Sequence, residues 1–478
     1  MATSKSSIAT INPATGETLK TYEPLSDEAL EEKIGRAADA FRSYRLTSPQ
    51  ERVGWLRAAA DALEADTDAV AELMVTEMGK TLAAAKAEAG KCVTALRYYA
   101  EHGPAMLEPK LADAGAVGAE QAFLVHQPIG VVLAIMPWNF PLWQAMRFAA
   151  PALMAGNVGL LKHASNVPQT ALYMEELFRK AGFPADVFQT LLIGSSTIER
   201  VLRDDRVAAA TLTGSAPAGQ SVASIAGDAL KKTVLELGGS DPYIVMPSAD
   251  LDRAAEVAVT ARCQNNGQSC IAAKRFFVHA DVAEEFTRLF AEKMGALVVG
   301  DPMEDGTQVG PLATESGRED VERYVQDAVD KGATVVVGGT RPDRAGWYYA
   351  PTLLTGITPE MDLYDEEVFG PVAALWTVDT LEEAIDIANS HPYGLGANLW
   401  SEDEQERSTF IRDVQSGMAF VNGMVTSYPE LPFGGVKQSG YGRELTDLGM
   451  YEFMNAKTVW IGPRGSEQAQ GDTASASE

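Results

Sequence analysis

The chain has 478 residues, of which 46% are hydrophobic and 22% are charged, a composition ordinary for a globular protein that buries a sizeable core. Its 66 acidic and 39 basic residues give a net charge of −27, and this negative field argues against binding to nucleic acid or to an anionic membrane. Three cysteines, five histidines and the absence of any apolar run of about 20 residues argue against a disulfide framework, a zinc cluster and a membrane span.

The first hundred residues are predicted to be helical. Ser26–Tyr44 opens with a capping serine, carries acidic residues in its first turns and has apolar residues at helical spacing. Two further helical patterns cover Pro49–Asp66 and Thr67–His102. The N-terminal residues contain no hydrophobic signal core, so we expect a cytoplasmic protein.

From about Phe123 the pattern changes to short apolar runs that alternate with helices. The predicted strands are Gly130–Met136, Gly159–Lys162, Phe188–Ile193, Ala209–Thr213 and Thr233–Leu237. The predicted helices between them are Gln169–Ala181, Ser196–Leu202 and Ala218–Ala229. This alternation predicts a doubly wound parallel sheet, which favours a dinucleotide or phosphate ligand.

A second α/β block follows Gly238–Gly239. Its predicted strands lie near Tyr243–Met246, Arg275–Val278, Ala333–Val337, Val372–Trp376 and Met418–Asn422, and helices begin near Asp281 and Gly317. The small polar tail Arg464–Glu478 is predicted to be disordered.

The two common phosphate-binding fingerprints are missing. Glu77–Thr81 (EMGKT) resembles the end of a P-loop, but Met74 stands where the leading glycine is needed. No G-x-G-x-x-G follows a predicted strand, so a bound dinucleotide would have to be held in another way.

Several short strings instead carry a resemblance that extends from about Ile11 to Ile461. They are Pro137–Pro141 (PWNFP), Thr213–Gly219 (TGSAPAG), Leu235–Gly239 (LELGG), Asn266–Cys270 (NGQSC), Glu366–Val372 (EEVFGPV), Asn422–Gly423 and Pro432–Glu444 (PFGGVKQSGYGRE). In this order, with 34 residues from Glu236 to Cys270, they resemble the aldehyde dehydrogenase superfamily. The strings KHASNVP, NNGQSCIAAKR and NGMV-x-S are most similar to bacterial NADP-dependent succinate-semialdehyde dehydrogenases.

The resemblance implies an α/β, aldehyde dehydrogenase-like fold. We expect a Rossmann-like cofactor domain over residues 1–109 and 128–238 and an α/β catalytic domain over residues 239–451. Residues 110–127 and 452–463 would form a bridging hairpin that builds a homodimer or homotetramer, and residues 464–478 would be the tail.

Aldehyde oxidation by hydride transfer requires a tetrahedral adduct, which a thiolate can supply. The resemblance assigns this role to Cys270, whereas Cys92 and Cys263 are predicted to be buried structural cysteines. It assigns stabilisation of the oxyanion to the side-chain amide of Asn139 and the backbone N–H of Cys270. Glu236 would activate the water that hydrolyses the thioester, and its apolar neighbours would raise the pKa of its carboxyl.

The resemblance also implies a nicotinamide cofactor. Lys162 would bind the adenosine ribose, with Trp138 close by. Many NAD-preferring relatives carry a glutamate three residues after this lysine; here the residue is Ser165, which does not repel a 2′-phosphate, so NADP is expected and NAD is less favoured. The other expected cofactor contacts are Asn139, His163, Ala164, Leu237, Gly214 and Ser215 at a helix start, Glu367 at the nicotinamide ribose, and Phe369 at the ring.

Substrate selection is predicted at Arg147, a lone cation on an apolar helix that suits the carboxylate of a short aldehyde acid. A structural ion pair is the alternative interpretation of Arg147. The resemblance matches Ser427 to a serine near the other wall of the substrate site, and Trp143 is expected to line the channel. Many relatives have a second arginine six residues before the cysteine, and this chain has Gln264 there.

The predicted function is oxidation of succinate semialdehyde to succinate with NADP⁺, which would feed 4-aminobutanoate breakdown or a bypass into the citric acid cycle. No metal is expected. The alternatives are a dehydrogenase for another short acid-terminated aldehyde such as glutarate semialdehyde, a cysteine hydrolase, and a non-catalytic structural protein on the same fold. The acidic surface fits either an ordinary solvated surface or a salt-adapted source.

Overall fold

The structure, a computed structural model, describes residues 8–463, so the predicted tail lies outside the described residues. The strands, β1 to β20 in chain order, are Ile8–Ile11, Thr18–Tyr22, Lys110–Leu111, Gln121–Pro128, Val131–Met136, Val158–His163, Phe188–Thr190, Val207–Thr213, Lys232–Glu236, Asp241–Val245, Ala273–His279, Thr334–Val337, Thr352–Thr355, Val372–Val378, Tyr393–Gly394, Gly396–Trp400, Met418–Val421, Val436–Lys437, Gly440–Tyr441 and Met454–Ile461. The helices, α1 to α14, are Asp27–Tyr44, Pro49–Ala65, Thr67–Met78, Leu82–Met106, Trp143–Ala155, Pro168–Lys180, Ile198–Arg203, Ala216–Asp228, Leu251–Cys263, Ala280–Gly295, Glu315–Asp330, Leu381–Ser390, Glu404–Asp413 and Thr446–Tyr451.

The N-terminal region is mainly helical, as predicted, but it begins with the antiparallel hairpin β1–β2. The prediction missed this hairpin because β2 is largely exposed and polar, so it carries no alternation of apolar and polar residues. The single helical pattern predicted over Thr67–His102 is also wrong, because the chain turns at Gly79 with φ of 81° and Thr81 then caps α4. A Cβ at Gly79 would lie 2.8 Å from the carbonyl oxygen of Pro311, so this turn requires glycine.

The predicted doubly wound parallel sheet is confirmed, with strand order β19-β9-β8-β5-β6-β7, and only the short edge strand β19 is antiparallel to its neighbour. The chain runs outward from β5 through β6 to β7 and then returns to β8 on the other side of β5. The sheet therefore has a topological switch point between β5 and β8, where such sheets bind ligands at the carboxyl ends of their strands. Two predicted strands end earlier in the structure. β7 ends at Thr190 instead of Ile193, and β9 ends at Glu236 instead of Leu237, so Glu236 is not an interior residue of the strand.

A second sheet follows with strand order β12-β13-β14-β11-β10-β16-β17, and it is parallel except for the pair β12–β13. A third, antiparallel sheet has the order β20-β4-β3 and joins residues 110–128 to residues 454–461. The domain boundaries given above stay a prediction.

The largest hydrophobic core lies between the six-stranded sheet and α1 to α6, and the α5 helix is buried along its whole length. Because α5 begins just after the switch-point strand β5, this core fixes the position of the loop that joins them. Within residues 8–463, every helix is too short or too polar to cross a membrane.

Candidate active site

The loop that carries Cys270 runs from the end of α9 to the start of β11. Its residues Asn265, Asn266 and Gly267 have φ values of 55°, 58° and 75°, three successive left-handed conformations. Asn266 Nδ2 donates to the carbonyl oxygens of Gly79 and Pro311, at 2.8 Å each. A Cβ on Gly267 would lie 2.3 Å from the backbone of Gly370. The turn is thus held by the hydrogen bonds of Asn266 and by the close approach of Gly267 to Gly370.

Lys274, which is not among the residues predicted for the site, fixes the same loop from the other side. Its buried Nζ donates to the carbonyl oxygens of Ser269 and Cys270, at 2.9 Å each, and lies 3.2 Å from Glu367 Oε1. Burial lowers the pKa of Lys274, and the charge of Glu367 opposes this shift. The one signal in the sequence for a role of Lys274 is its position inside an apolar strand, where an unpaired charge is costly.

Two cavities meet at Cys270, whose side chain is partly buried. The first has a volume of about 220 Å³ and lies beside α4 and α5; its lining includes Lys91, Phe140, Trp143, Gln144, Arg147, Gln264, Ile271, Ser427 and Phe433. The second has a volume of about 210 Å³ and lies at the switch point of the six-stranded sheet. Cys270 and Gln144 line both cavities.

The second cavity brings together most of the residues expected at the cofactor: Trp138, Asn139, Gly214, Ser215, Leu237, Glu367 and Phe369. The rings of Trp138 and Phe369 meet edge to face with centroids 5.7 Å apart. Ser215 precedes α8 without capping it by its side chain, and the buried hydroxyl of Thr213 has no hydrogen-bond partner in residues 8–463. Free donors at the start of a 13-residue helix fit a phosphate group.

The four expected residues from Lys162 to Ser165 do not line this cavity but end the next strand, β6, and begin the loop after it. Lys162 is buried, burial lowers its pKa, and it has no ion-pair partner among the described residues. Ser165 and Ala164 are half-buried and line a small crevice with His163. A dinucleotide that extends along the strand ends would meet these residues after leaving the second cavity.

The side chain of His163 has a structural role. Its Nε2 donates to the carbonyl oxygen of Pro141 at 2.7 Å, and its Nδ1 accepts from the N–H of Ala164 at 3.0 Å. Burial lowers the pKa of His163 to about 4, so the ring is neutral at physiological pH. His163 therefore ties the loop after β6 to the loop after β5, and only its backbone is left for a ligand.

The groups expected to bind the oxyanion lie together. Asn139 is buried, and its Nδ2 donates to the carbonyl oxygen of Gln268 at 3.1 Å, which leaves its second N–H free. Asn265 Nδ2 donates to the carbonyl oxygen of Asn139 at 2.7 Å and so joins the two loops. The backbone N–H of Cys270 makes no hydrogen bond with a described residue. Two donors without a described partner thus lie at the cavity that Cys270 lines, on loops joined by hydrogen bonds.

Glu236 is 2% exposed and lines neither cavity, although its neighbours Leu237 and Gly238 line the second one. Neither of its carboxyl oxygens has a hydrogen-bond partner in the described part of the chain. Burial raises the pKa of Glu236 well above its usual value, and the nearby Glu444 raises it further. Because Gly434 has no side chain, it leaves room for the carboxyl group of Glu236; a Cβ on this residue would lie only 2.7 Å from Glu236 Oε1.

Arg147 lines the first cavity, as expected, but it is not a lone cation. Its guanidinium forms a buried ion pair with Glu444 and lies 4.1 Å from the ring centroid of Phe433. The sequence could not show this, because Glu444 is almost 300 residues away along the chain. Arg147 Nη2 has no hydrogen-bond partner among the described residues, so the guanidinium keeps an N–H donor that a ligand could use. Arg147 therefore forms a structural ion pair, which is the alternative interpretation, and it also lines the first cavity.

Ser427 and Trp143 also lie where they were expected, on the wall of the first cavity. The indole Nε1 of Trp143 donates to Ser427 Oγ at 3.1 Å. Lys91, on α4, donates to the same oxygen at 2.7 Å, although the sequence pattern indicates no role for this lysine. The three side chains come from α4, α5 and the loop before β18, so only the folded chain brings them together.

The state of Cys270 gives a first prediction. Burial raises the pKa of its thiol to about 12, so almost no thiolate exists at pH 7 in the free protein. We expect the rate of its alkylation by iodoacetamide to rise about tenfold for each pH unit between 7 and 10. Mass spectrometry of the modified peptide measures this rate, and Cys270→Ala gives the background from the buried Cys92 and Cys263. A rate that is already at its plateau at pH 7 would contradict the raised pKa.

Comparison with known proteins agrees with this geometry. The model of the aldehyde dehydrogenase family matches residues 1–459. The chain is 61% identical over 465 residues to the NADP(+) succinate-semialdehyde dehydrogenase of Mycobacterium avium, an alignment that covers 97% of this chain and 98% of that protein.

Solved structures are similar as well. The succinic semialdehyde dehydrogenase of Streptococcus pyogenes in complex with NADP⁺ matches with a TM-score of 0.92 and 38% identity, over 95% of this chain and all of that one. The succinate-semialdehyde dehydrogenase of Burkholderia pseudomallei matches with a TM-score of 0.93 and 34% identity, over 96% of this chain and 95% of that one. Residues 8–463 contain no cluster of acidic, histidine or cysteine side chains that would hold a metal ion.

Proposed function

This chain belongs to the aldehyde dehydrogenase family, and we propose that it oxidises succinate semialdehyde to succinate with NADP⁺, and less readily with NAD⁺. The position of Cys270 is the main support, because it joins a cavity with cationic side chains to a second cavity at the switch point of the sheet. Two relatives named above support this proposal. The one at 61% identity is an NADP(+) succinate-semialdehyde dehydrogenase, and the one at 38% identity is a succinic semialdehyde dehydrogenase in complex with NADP⁺.

The first step is addition of Cys270 to the aldehyde. The thiol passes its proton to a water molecule, the sulfur forms a bond to the carbonyl carbon, and the π electrons of the carbonyl move to its oxygen, so the carbon becomes tetrahedral. The oxygen of this adduct carries the negative charge and accepts hydrogen bonds from Asn139 Nδ2 and from the Cys270 N–H. Both donors are already in place, so little reorganisation is needed when the charge develops.

A nicotinamide bound in the second cavity would supply the acceptor for the hydride that the adduct must lose to become a thioester on Cys270. Trp138 and Phe369 would pack against the ring region, and Glu367, fixed by Lys274, would hold the adjacent ribose. The first turn of α8 would bind the pyrophosphate, and Lys162 the adenosine ribose.

Glu236 would then act as general base for hydrolysis. It removes a proton from a water molecule, the water oxygen bonds to the thioester carbon, and the carbon–sulfur bond breaks to release the acid and the Cys270 thiolate. The proton taken up by Glu236 then returns through water to the sulfur, which restores the thiol and the carboxylate. This role requires the carboxylate to reach the thioester through one water, from a position just outside the cavity walls. A raised pKa suits the role, because a base is most effective when its pKa lies near the working pH.

Ser165 gives a prediction for cofactor choice. Replacing Ser165 by glutamate is expected to raise the KM for NADP⁺ by about 10- to 100-fold, because a carboxylate repels the 2′-phosphate, and to leave the KM for NAD⁺ nearly unchanged. Initial rates with each cofactor measure the effect, and Ser165→Ala controls for loss of the hydroxyl alone. Equal changes for both cofactors would place the 2′-phosphate elsewhere.

The proposed reaction is tested by following nicotinamide reduction at 340 nm. Purified protein is assayed with succinate semialdehyde, glutarate semialdehyde and the neutral aldehyde butanal, each with NADP⁺ and with NAD⁺. We expect the highest kcat/KM for succinate semialdehyde with NADP⁺. Preference for glutarate semialdehyde would change the substrate, preference for butanal would remove the acid-terminated class, and no reduction of either cofactor would overturn the proposal.

We also infer a homodimer or homotetramer in the cytoplasm. The edge strand β20 of the three-stranded sheet has mostly exposed side chains, including Trp460 and Ile461, which a second copy could cover. The three cysteines are free, which suits a reducing compartment. Light scattering of the purified protein measures the oligomeric state.

A further inference from the structure

We propose that Lys91, together with Ser427, is a second cationic anchor for the carboxylate of the substrate, in a cavity where Gln264 carries no charge. This inference rests on the proposed function, and it identifies a residue that sets the preference for acidic aldehydes.

Lys91 is placed as a ligand-binding group would be. It lies on α4, is half-buried and lines the same cavity as Cys270 and Arg147. Its Nζ lies 2.7 Å from Ser427 Oγ and 4.6 Å from the ring centroid of Trp143. Among the described residues no carboxylate lies within 4 Å of this Nζ, so the ammonium has no anionic partner of its own.

The nearest acidic residue on α4 is already engaged. Glu88 forms a fully buried ion pair with Lys80 and accepts from the backbone N–H groups of Leu142 and Trp143 at the start of α5, at 2.9 and 2.8 Å. Its charge is therefore shared among a cation and two amides. An unpaired ammonium next to an apolar wall is costly unless it binds an anion.

Arg147 alone is a weak source of positive charge for this cavity. Glu444 balances its charge in the buried pair, and Phe433 covers one face of the guanidinium. The pair and Glu236 together bring no net positive charge. A substrate carboxylate brought into this cavity therefore needs a further cation, and Lys91 is the one that lacks a counter-ion.

Ser427 is oriented by the same contacts. Its oxygen accepts two hydrogen bonds, from Lys91 Nζ and from Trp143 Nε1, which uses both lone pairs. The hydroxyl hydrogen is left to donate, and no described residue accepts it. Lys91 thus acts twice, as an ammonium with two remaining N–H donors and as a group that turns the Ser427 hydroxyl towards an acceptor.

The charge of Lys91 makes this site sensitive to pH. Burial and the positive charge of Arg147 lower the pKa of Lys91 to about 8, while Cys92 and Glu88 on its own helix oppose the shift. Ser427 and Trp143 face it without charge. The ammonium is present below about pH 8 and is lost above it, so the KM for an acidic aldehyde should rise with pH there and the KM for a neutral aldehyde should not.

The test compares Lys91→Met and Lys91→Arg in the full-length protein with NADP⁺ saturating. We expect Lys91→Met to raise the KM for succinate semialdehyde by about 10- to 100-fold and the KM for butanal by less than about twofold, because a charge-assisted contact is lost only with the acid. Lys91→Arg should keep the preference for the acid and remove the rise in KM above pH 8. The matched control is Lys86→Met, since Lys86 lies on the same helix, 44% exposed and paired with Asp68.

The outcomes separate the two proposals. If Lys91→Met changes both aldehydes equally, the lysine only supports the fold of the cavity, and the inference is overturned. If the wild-type protein prefers succinate semialdehyde and Lys91→Met keeps that preference, the inference fails and the proposed function stands. If the wild-type protein prefers butanal, the proposed substrate fails first and the inference fails with it.

Discussion

Replacing Cys270 by alanine is expected to lower kcat for aldehyde oxidation by about 10⁴-fold or more. Without the sulfur no tetrahedral adduct forms on the protein, and loss of a nucleophile typically has an effect of this size. The change removes one atom from a partly exposed position between two cavities, so it should leave the fold intact. Nicotinamide reduction at 340 nm and a thermal unfolding scan measure the two effects.

The matched control is Cys263→Ala. Cys263 ends α9, seven residues before Cys270, is 5% exposed and lines neither cavity. This variant should keep the full rate, although loss of a buried sulfur will lower its stability somewhat. Cofactor binding to Cys270→Ala should persist, which separates loss of the nucleophile from loss of the site. Turnover that survives in Cys270→Ala would exclude the covalent mechanism.

Replacing Glu236 by glutamine is expected to lower steady-state kcat by about 10²- to 10⁴-fold while one equivalent of NADPH still forms in the first turnover. The amide cannot remove a proton from water, so the thioester accumulates on Cys270 after hydride transfer. Rapid mixing measures the burst, and intact mass spectrometry of the quenched protein detects the acyl group. A variant with neither burst nor acyl group would place Glu236 in the first step, as the base that activates the thiol.

Glu256→Gln is the control for this substitution, because Glu256 is exposed on α9 and lies outside both cavities. The wild-type profile supplies a second check. Since burial and Glu444 raise the pKa of Glu236, the basic form is scarce at low pH, and kcat should increase as pH rises through that pKa. The burst amplitude should not follow this increase, because it precedes hydrolysis. Glu236→Gln should lose the pH dependence of kcat.

The order of short strings along the chain was enough to predict the fold class and most of the residues that line the second cavity, Cys270 among them. Local physics also predicted several elements well: Ser26 caps α1 as expected, since its hydroxyl accepts from the N–H of Ala29. Short apolar runs that alternate with helices predicted the parallel sheet, and the sheet in turn predicted a ligand site at the carboxyl ends of its strands. These features depend on neighbouring residues or on a fixed order of motifs, and both can be read along a chain.

The charges of the first cavity were decided only by the tertiary structure. Arg147 was expected as a lone cation, but the fold pairs it with Glu444, and Lys91 became visible only when α4 packed beside α5 and the loop that carries Ser427. A sequence shows which residues carry charge, whereas the effective charge of a group depends on its burial and on partners hundreds of residues away. The order of the motifs therefore indicates which residues meet at Cys270, whereas the folded structure shows which cation of the first cavity lacks a carboxylate partner.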